Sequence, residues 1–275
     1  MAIDLKISAN ENILKVPKIS EHKYTKRLIG FFEQVTKLTR FTFRFFREVL
    51  KPPYEFNELV KQCYKIGYNS YPLVVIMGFI MGLVLTVQSR PTLAQFGAVS
   101  WLPGMVAVSI LREMGPVFTA LIFAGKVGSS IGAELSSMKV TEQIDSMEVS
   151  GINPFKYIVV TRVVATTLML PILVIVADAI AIFGTYVGVN LQGSISLHLF
   201  LLQIVEGISF TDIFPATIKT FFFGFAVGLI GCYIGYNANK GTEGVGKAAN
   251  SSVVFGSLAI FILDLIAVQI TSLLS

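Results

Sequence analysis

The sequence predicts an all-α integral membrane protein, with an N-terminal interfacial amphipathic helix ahead of five transmembrane helices. Hydrophobic residues fill 53% of the 275 positions and charged residues only 14%, with a mean hydropathy of +0.70, which leaves too little polar surface to cover a soluble globule of this length. Five apolar stretches reach the roughly 20 residues needed to cross a hydrocarbon core about 30 Å thick. Thirteen of the 22 Lys and Arg residues precede residue 68, so the net charge of +5 is a local excess at one end of the chain.

Residues 1–23 read as a cytoplasmic segment. Asp4, Lys6, Glu11, Lys15 and Lys18 deny it the apolar core of a cleaved secretory signal, and the early acids argue against an organelle transit peptide. Residues 24–67 hold the basic amphipathic helix and a connection. Apolar residues at 28, 31, 32, 35, 38, 45, 46 and 49, with Thr42, approximate an i, i+3, i+4, i+7 stripe, Arg27, Lys37, Arg40, Arg44 and Arg47 supply cations, and Pro52-Pro53 ends the run. Lys and Arg alternate here with Phe, Leu and Val, which favours a membrane surface over nucleic acid as partner. A helix packed on a soluble domain would show the same stripe, but no such domain is visible.

Residues 68–275 form the predicted five-helix membrane domain, with spans near 68–90, 105–135, 157–189, 213–237 and 250–274. Arg90 alone follows the first span and residues 188–212 carry no Lys or Arg, whereas Lys139, Lys156, Lys240 and Lys247 lie on the side of the basic N-terminus. The cation bias predicts a cytoplasmic N-terminus, and five spans then leave the C-terminus outside. Cys63 near the cytoplasm and Cys232 inside a span predict no structural disulfide.

Glycines recur at small-xxx-small spacing in the pairs Gly78/Gly82, Gly128/Gly132, Gly184/Gly188, Gly224/Gly228 and Gly231/Gly235, which predicts close helix approach within the subunit or between subunits. No internal repeat is evident, and with an odd span count this weighs against a carrier built from inverted halves.

The run GTEGVGKA at 241–248 nearly matches a phosphate-binding P-loop. Ala248 stands where the motif needs Ser or Thr for magnesium, and the stretch joins two membrane helices instead of following a strand, so a cytoplasmic turn is the better account, with Glu243 and Lys247 available to a partner. His22 and His198 fall at opposite ends of the topology without metal-ligand spacing to other residues, and no catalytic set emerges. The chain reads as a non-enzyme without a cofactor of its own.

Charges inside spans point to function, because an ionised side chain in lipid costs several kcal/mol by most estimates. Arg112 and Glu113 open an apolar, small-residue-rich helix and, as sequence neighbours, point about 100° apart, so each needs a partner elsewhere. Lys219 in the fourth span, Asp178 in the third and Asp264 in the fifth are the candidates, as interhelical pairs, snorkelling side chains or the lining of a polar cavity. Between spans two and three, Val140, Ile144 and Met147 form an apolar stripe opposite Glu142, Asp145 and Glu148. This short cytoplasmic helix, at about 138–149, reads either as a solvated linker or as a docking element, and acids facing an anionic leaflet favour the second.

The run LREMGPVFTALIFAGKVGSSIGAELSSMKVTEQIDSMEVSGINPFKY at 111–157 resembles the signature of MlaE (YrbE-type) permeases, and GYNANKGTEGVGKAANSSVV at 235–254 resembles that family's second signature. The resemblance covers nearly all of residues 25–275. It implies a phospholipid permease of a bacterial inner membrane, working as a homodimer with a cytoplasmic ABC ATPase dimer that holds the ATP and magnesium, and with a hexamer of MCE-domain proteins on the periplasmic side. A small STAS-like protein on the ATPase is a further implied partner. By position, the helix bearing Lys139, Glu142, Ile144, Asp145, Met147 and Glu148 becomes the ATPase-coupling helix.

From that resemblance and from depth in the membrane, Arg112, Glu113 and Lys219 are expected to meet the lipid headgroup, while Leu85, Leu93 and Phe96 line the acyl path. A secondary carrier or channel driven by an ion gradient, with Asp178 and Asp264 as proton or ion sites, is the alternative. A membrane scaffold that transports nothing is a third.

Overall fold

The computed structural model describes residues 19–274 other than Pro53, Gln192, Ser194 and Lys240, and omits the side chains of residues 19–31, 210–212 and 274. The expected segment before residue 19, the side chain of His22 and stripe positions 28 and 31 therefore lie outside the described residues. The chain divides into two units, residues 1–44 and 45–275. Helix α1 (Ile19–Val49) fills the described part of the first and lends its last turn to the second. In the first unit Lys37 pairs with Glu33 one turn earlier at 2.7 Å, and Thr36, Thr39 and Thr42 donate their hydroxyls to the carbonyls four residues back. Within the described residues α1 is already helical at Ile19, five residues before the predicted 24.

The second unit is a helical bundle, with no strand among the described residues. Its long members are α2 (Phe56–Gln95), α3 (Val99–Val140), α5 (Phe155–Leu191), α7 (Phe210–Tyr236) and α8 (Thr242–Leu274), and each contains a window apolar enough to cross a membrane. All five expected spans are present. Several run beyond their apolar windows, because helix continues wherever polar residues still have water or protein to face. α2 shows this clearly: its 40 residues span about 60 Å at 1.5 Å each, twice the hydrocarbon thickness, so it must project.

Lipid tails are as apolar as leucine, so close backbone approach has to hold these helices together. The glycine pairs supply it inside the subunit. A Cβ on Gly78 would lie 2.7 Å from the Ala177 carbonyl, and Cβ atoms on Gly82 and Gly184 would collide with the backbones of Ala181 and Phe79, which locks α2 to α5. On α7, Gly224 and Gly228 bear on Thr166, while Gly231 and Gly235 bear on Gly128 and Gly132 of α3. Gly132 also meets Ser252 of α8. The sequence left open whether each pair served the subunit or an interface between subunits, and all five make internal contacts.

Two short helices close the loops at opposite ends of the bundle. α4 (Gln143–Val149) follows α3, and α6 (Leu197–Gly207) lies between α5 and α7. The expected helix over 138–149 is interrupted: residues to Val140 complete α3, and Glu142 takes a left-handed φ of 58° before α4 begins. α6 lies in the connection at 188–212, for which the sequence predicts no element. Ser196 caps it by accepting from the Leu199 N–H at 3.3 Å, and Phe200 and Ile204 bury into a cluster with Leu102, Val106, Ile110, Ala181 and Val189.

Candidate functional site

α3 widens to π-helical geometry at Ile110–Met114. Pro116, one turn on, has no N–H to give the Arg112 carbonyl, and the Gly115 N–H reaches back five residues to Ile110. Such bulges re-aim side chains, and this one carries Arg112 and Glu113. Arg112 lies exposed. Glu113 turns across to α7, where Lys219 Nζ donates to its Oε2 at 2.6 Å and to Asp264 Oδ1 of α8 at 3.0 Å. The Lys219 side chain is only 7% exposed, against 39% for Glu113 and 20% for Asp264, so the lysine is the covered hub and Glu113 the arm that reaches open space. One cation between two carboxylates leaves a local charge of −1, suited to a ligand that offers hydrogen-bond donors or a cation.

Asp178 stands apart from this cluster. It is 8% exposed, its Oδ1 has no hydrogen-bond partner among the described residues, and a Cβ on Gly115 would run into it. A cavity of about 20 Å³ beside it, lined also by Thr217 and Thr220, has room for one water.

Toward the α6 end, one turn before the π-bulge, a groove of about 670 Å³ opens between α3 and α6. Trp101, Met105 and Val108 line one wall, Gln203 and Glu206 the other, and Leu93 of α2 closes it. Gly104 and Gly207 set the separation: a Cβ on Gly207 would lie 3.1 Å from the Gly104 Cα. The Gln203 Oε1 is buried without a partner among the described residues. Of the expected acyl-path residues, Leu93 lines this groove, Leu85 packs against the buried cluster beneath it, and Phe96 is 79% exposed at the end of α2.

At the opposite end, Ile144 is buried at 1% while Glu142, Asp145 and Glu148 are exposed and Met147 is half-buried, so α4 is anchored through one face and presents its acids outward. Lys139 stands 3.7 Å from Asp145 and 5.8 Å from the centre of the Tyr236 ring. The near P-loop run forms the turn before α8 and its first turns, with Gly241 at φ 122°.

Sequence reasoning found the members of the Lys219 cluster but not their pairing, and it missed the α3–α6 groove. Ser196 ahead of an apolar run was the available signal for α6. It also missed Arg162, 6% exposed in its side chain, whose Nη2 lies 3.0 Å from Glu134 Oε1. Among the described residues no group of three or more His, Cys, Asp or Glu is placed to hold a metal ion.

The family model described as Permease MlaE matches residues 59–270. A relative in Haemophilus influenzae, the intermembrane phospholipid transport system permease protein MlaE, is 36% identical over 250 residues, covering 89% of this chain and 94% of its own. A probable ABC transporter permease protein of Rickettsia typhi is 35% identical over 237 residues, covering 86% and 92%. Another from Synechocystis is 32% identical over 232 residues, covering 84% and 88%. The five apolar helices, the charged cluster and the extent of these matches lead to one assignment: the chain belongs to the MlaE permease family.

Proposed function

We propose that this chain is the membrane-spanning subunit of an ABC transporter that moves phospholipid between a bacterial inner membrane and a periplasmic MCE-protein carrier, with ATP hydrolysed by a separate subunit. The observation that carries the reading is Glu113, held by the buried Lys219 at 2.6 Å and reaching open space one turn from the α3–α6 groove. A carboxylate at that depth accepts hydrogen bonds from a headgroup amine or hydroxyl, and the groove shelters acyl carbons beside Leu93. Arg112 supplies a cation for the phosphate, and Lys219 orients Glu113 more than it touches lipid.

The names of the Haemophilus and Rickettsia relatives support phospholipid as cargo and an ABC ATPase as motor. In this reading the N-terminus and α4 are cytoplasmic, α4 docks on the ATPase through Glu142, Asp145 and Glu148, and α1 lies along the membrane surface. The C-terminus and α6 are periplasmic, facing an MCE hexamer, and a small STAS-like protein sits on the ATPase. A second copy packs against α8, only 11% of whose apolar window is buried against 50% for α5. Mass spectrometry of lipid co-purifying with the complex tests the cargo: phospholipid retained by wild type and depleted in Glu113→Gln supports the reading, and equal recovery from both contradicts it.

The buried Asp178, whose Oδ1 has no partner among the described residues, favours one rival, an ion-gradient-driven carrier or channel. Asp264, its other expected ion site, is occupied by Lys219. Transport that persists without ATP or an ATPase decides for the rival.

A further inference from the structure

The end of the bundle that carries α4 holds a polar ladder that none of the transport chemistry above uses. Asn153 donates to Glu48 Oε2 at 3.2 Å, the Lys156 ammonium to the Lys51 carbonyl, and the Tyr157 hydroxyl to Glu58 Oε2 at 3.3 Å. Further along α2, Lys65 Nζ donates to both Glu134 oxygens at 3.1 and 3.2 Å, and the Lys126 ammonium donates to the Asn69 carbonyl. Arg162 closes the ladder by pairing with Glu134. One rail is the end of α1 and the projecting start of α2. The other is formed by both legs of the hairpin around α4, with Lys126 and Glu134 on the leg entering it and Asn153, Lys156, Tyr157 and Arg162 on the leg leaving it.

We propose that these contacts make the start of α2 part of the lever that α4 drives, so that Lys65, Glu134, Tyr157 and Arg162 are positioning residues that carry the ATPase stroke to the lipid groove. Apolar helix faces can slide past one another, whereas ion pairs and directional hydrogen bonds fix register. Contacts to both legs mean that any displacement of α4 pulls on α2 from two sides. Beyond the ladder α2 stays helical through Pro72 and Pro91, and Leu93 in the groove wall lies 28 positions past Lys65, about 42 Å away at 1.5 Å per residue. Pro72 falls just past the last rung. It gives the Tyr68 carbonyl no helical donor, which places a compliant point where α2 can pivot.

The inference rests on the ABC-transporter reading, and the experiment separates the two. The complex with its ATPase is reconstituted in liposomes, and three quantities are measured: ATPase retained, ATP hydrolysed, and labelled phospholipid moved per ATP. Lys65→Gln and Tyr157→Phe, singly and together, are suitable because Lys65 is 49% exposed in its side chain and Tyr157→Phe removes one hydroxyl, so the fold has little to lose. The expected result is unchanged retention and hydrolysis with lipid moved per ATP down about fivefold or more in the double variant, the scale on which residues between coupled sites act, and recovery with Lys65→Arg. Unchanged lipid per ATP overturns the lever, as does loss of the ATPase from the complex, which would make the ladder a docking or folding device. A wild-type complex that moves lipid without ATP overturns the transporter reading itself, and the lever with it.

Discussion

Lys219 holds Glu113 at 2.6 Å across 106 positions of sequence, and the same ammonium holds Asp264 at 3.0 Å. Three helices, α3, α7 and α8, are tied at one buried nitrogen. Neither carboxylate has a sequence neighbour that could replace it.

That arrangement makes the cost of substitution non-additive. Lys219→Met leaves two carboxylates without their cation and is expected to destabilise, by less than the roughly 3–5 kcal/mol of a fully buried pair because Glu113 stays 39% exposed. Lys219→Met combined with Glu113→Gln and Asp264→Asn removes the stranded charges and is expected to melt above the single variant. Thermal unfolding in detergent checks the order, and a triple variant less stable than the single one would contradict it.

The glycine seams predict which small residues are replaceable. Gly82→Ala drives a methyl into the Ala181 carbonyl and should cost about 1–3 kcal/mol with a falling yield of folded protein, as overpacking does. Gly125→Ala and Gly246→Ala meet nothing within 4 Å and should express like wild type. Size-exclusion profiles of the three variants measure this.

Legibility in the sequence followed the length of the signal. Twenty apolar residues in a row leave one reading, so all five spans were visible, and Gly78 through Gly235 announced close packing by spacing alone. The eleven residues of α6 are too few to cross a membrane, so they fell within the connection between the third and fourth spans. The break at Glu142 was invisible because glutamate is no marker of left-handed backbone. Lys65, Glu134 and Arg162 drew no attention, since nothing local says that residues 69 positions apart will meet. Arg112 and Glu113 stood out because charge within an apolar run is costly, yet which of them would face Lys219 depended on the π-bulge that Pro116 accompanies.

α4 separates docking from folding. Reversing Glu142 and Asp145 to Lys changes exposed side chains and breaks only the long surface contact of Asp145 with Lys139, so the melting temperature should shift little while the ATPase is lost from co-purification. Ile144→Ala removes a side chain that is 1% exposed and should cost about 2–5 kcal/mol of bundle stability. Retention of the ATPase by the double reversal would return α4 to a solvated linker.

The groove depends on the approach of α6 to α3. Gly207→Val places side-chain carbon against the Gly104 backbone and should push α6 away, so that a photoreactive group at Met105 cross-links phospholipid in wild type and loses that adduct in the variant. An adduct of equal intensity in both would remove the groove from the lipid path.

The central claim, that Glu113 lies on a phospholipid route driven by a separate ATPase, meets its most direct test in one assay. Labelled phospholipid transfer from liposomes containing the permease and its ATPase is followed with and without ATP, for wild type and Glu113→Gln. The account predicts transfer that requires ATP and falls about tenfold in the variant, the equivalent of about 1.4 kcal/mol at the headgroup contact. Transfer indifferent both to ATP and to the loss of that carboxylate would contradict it.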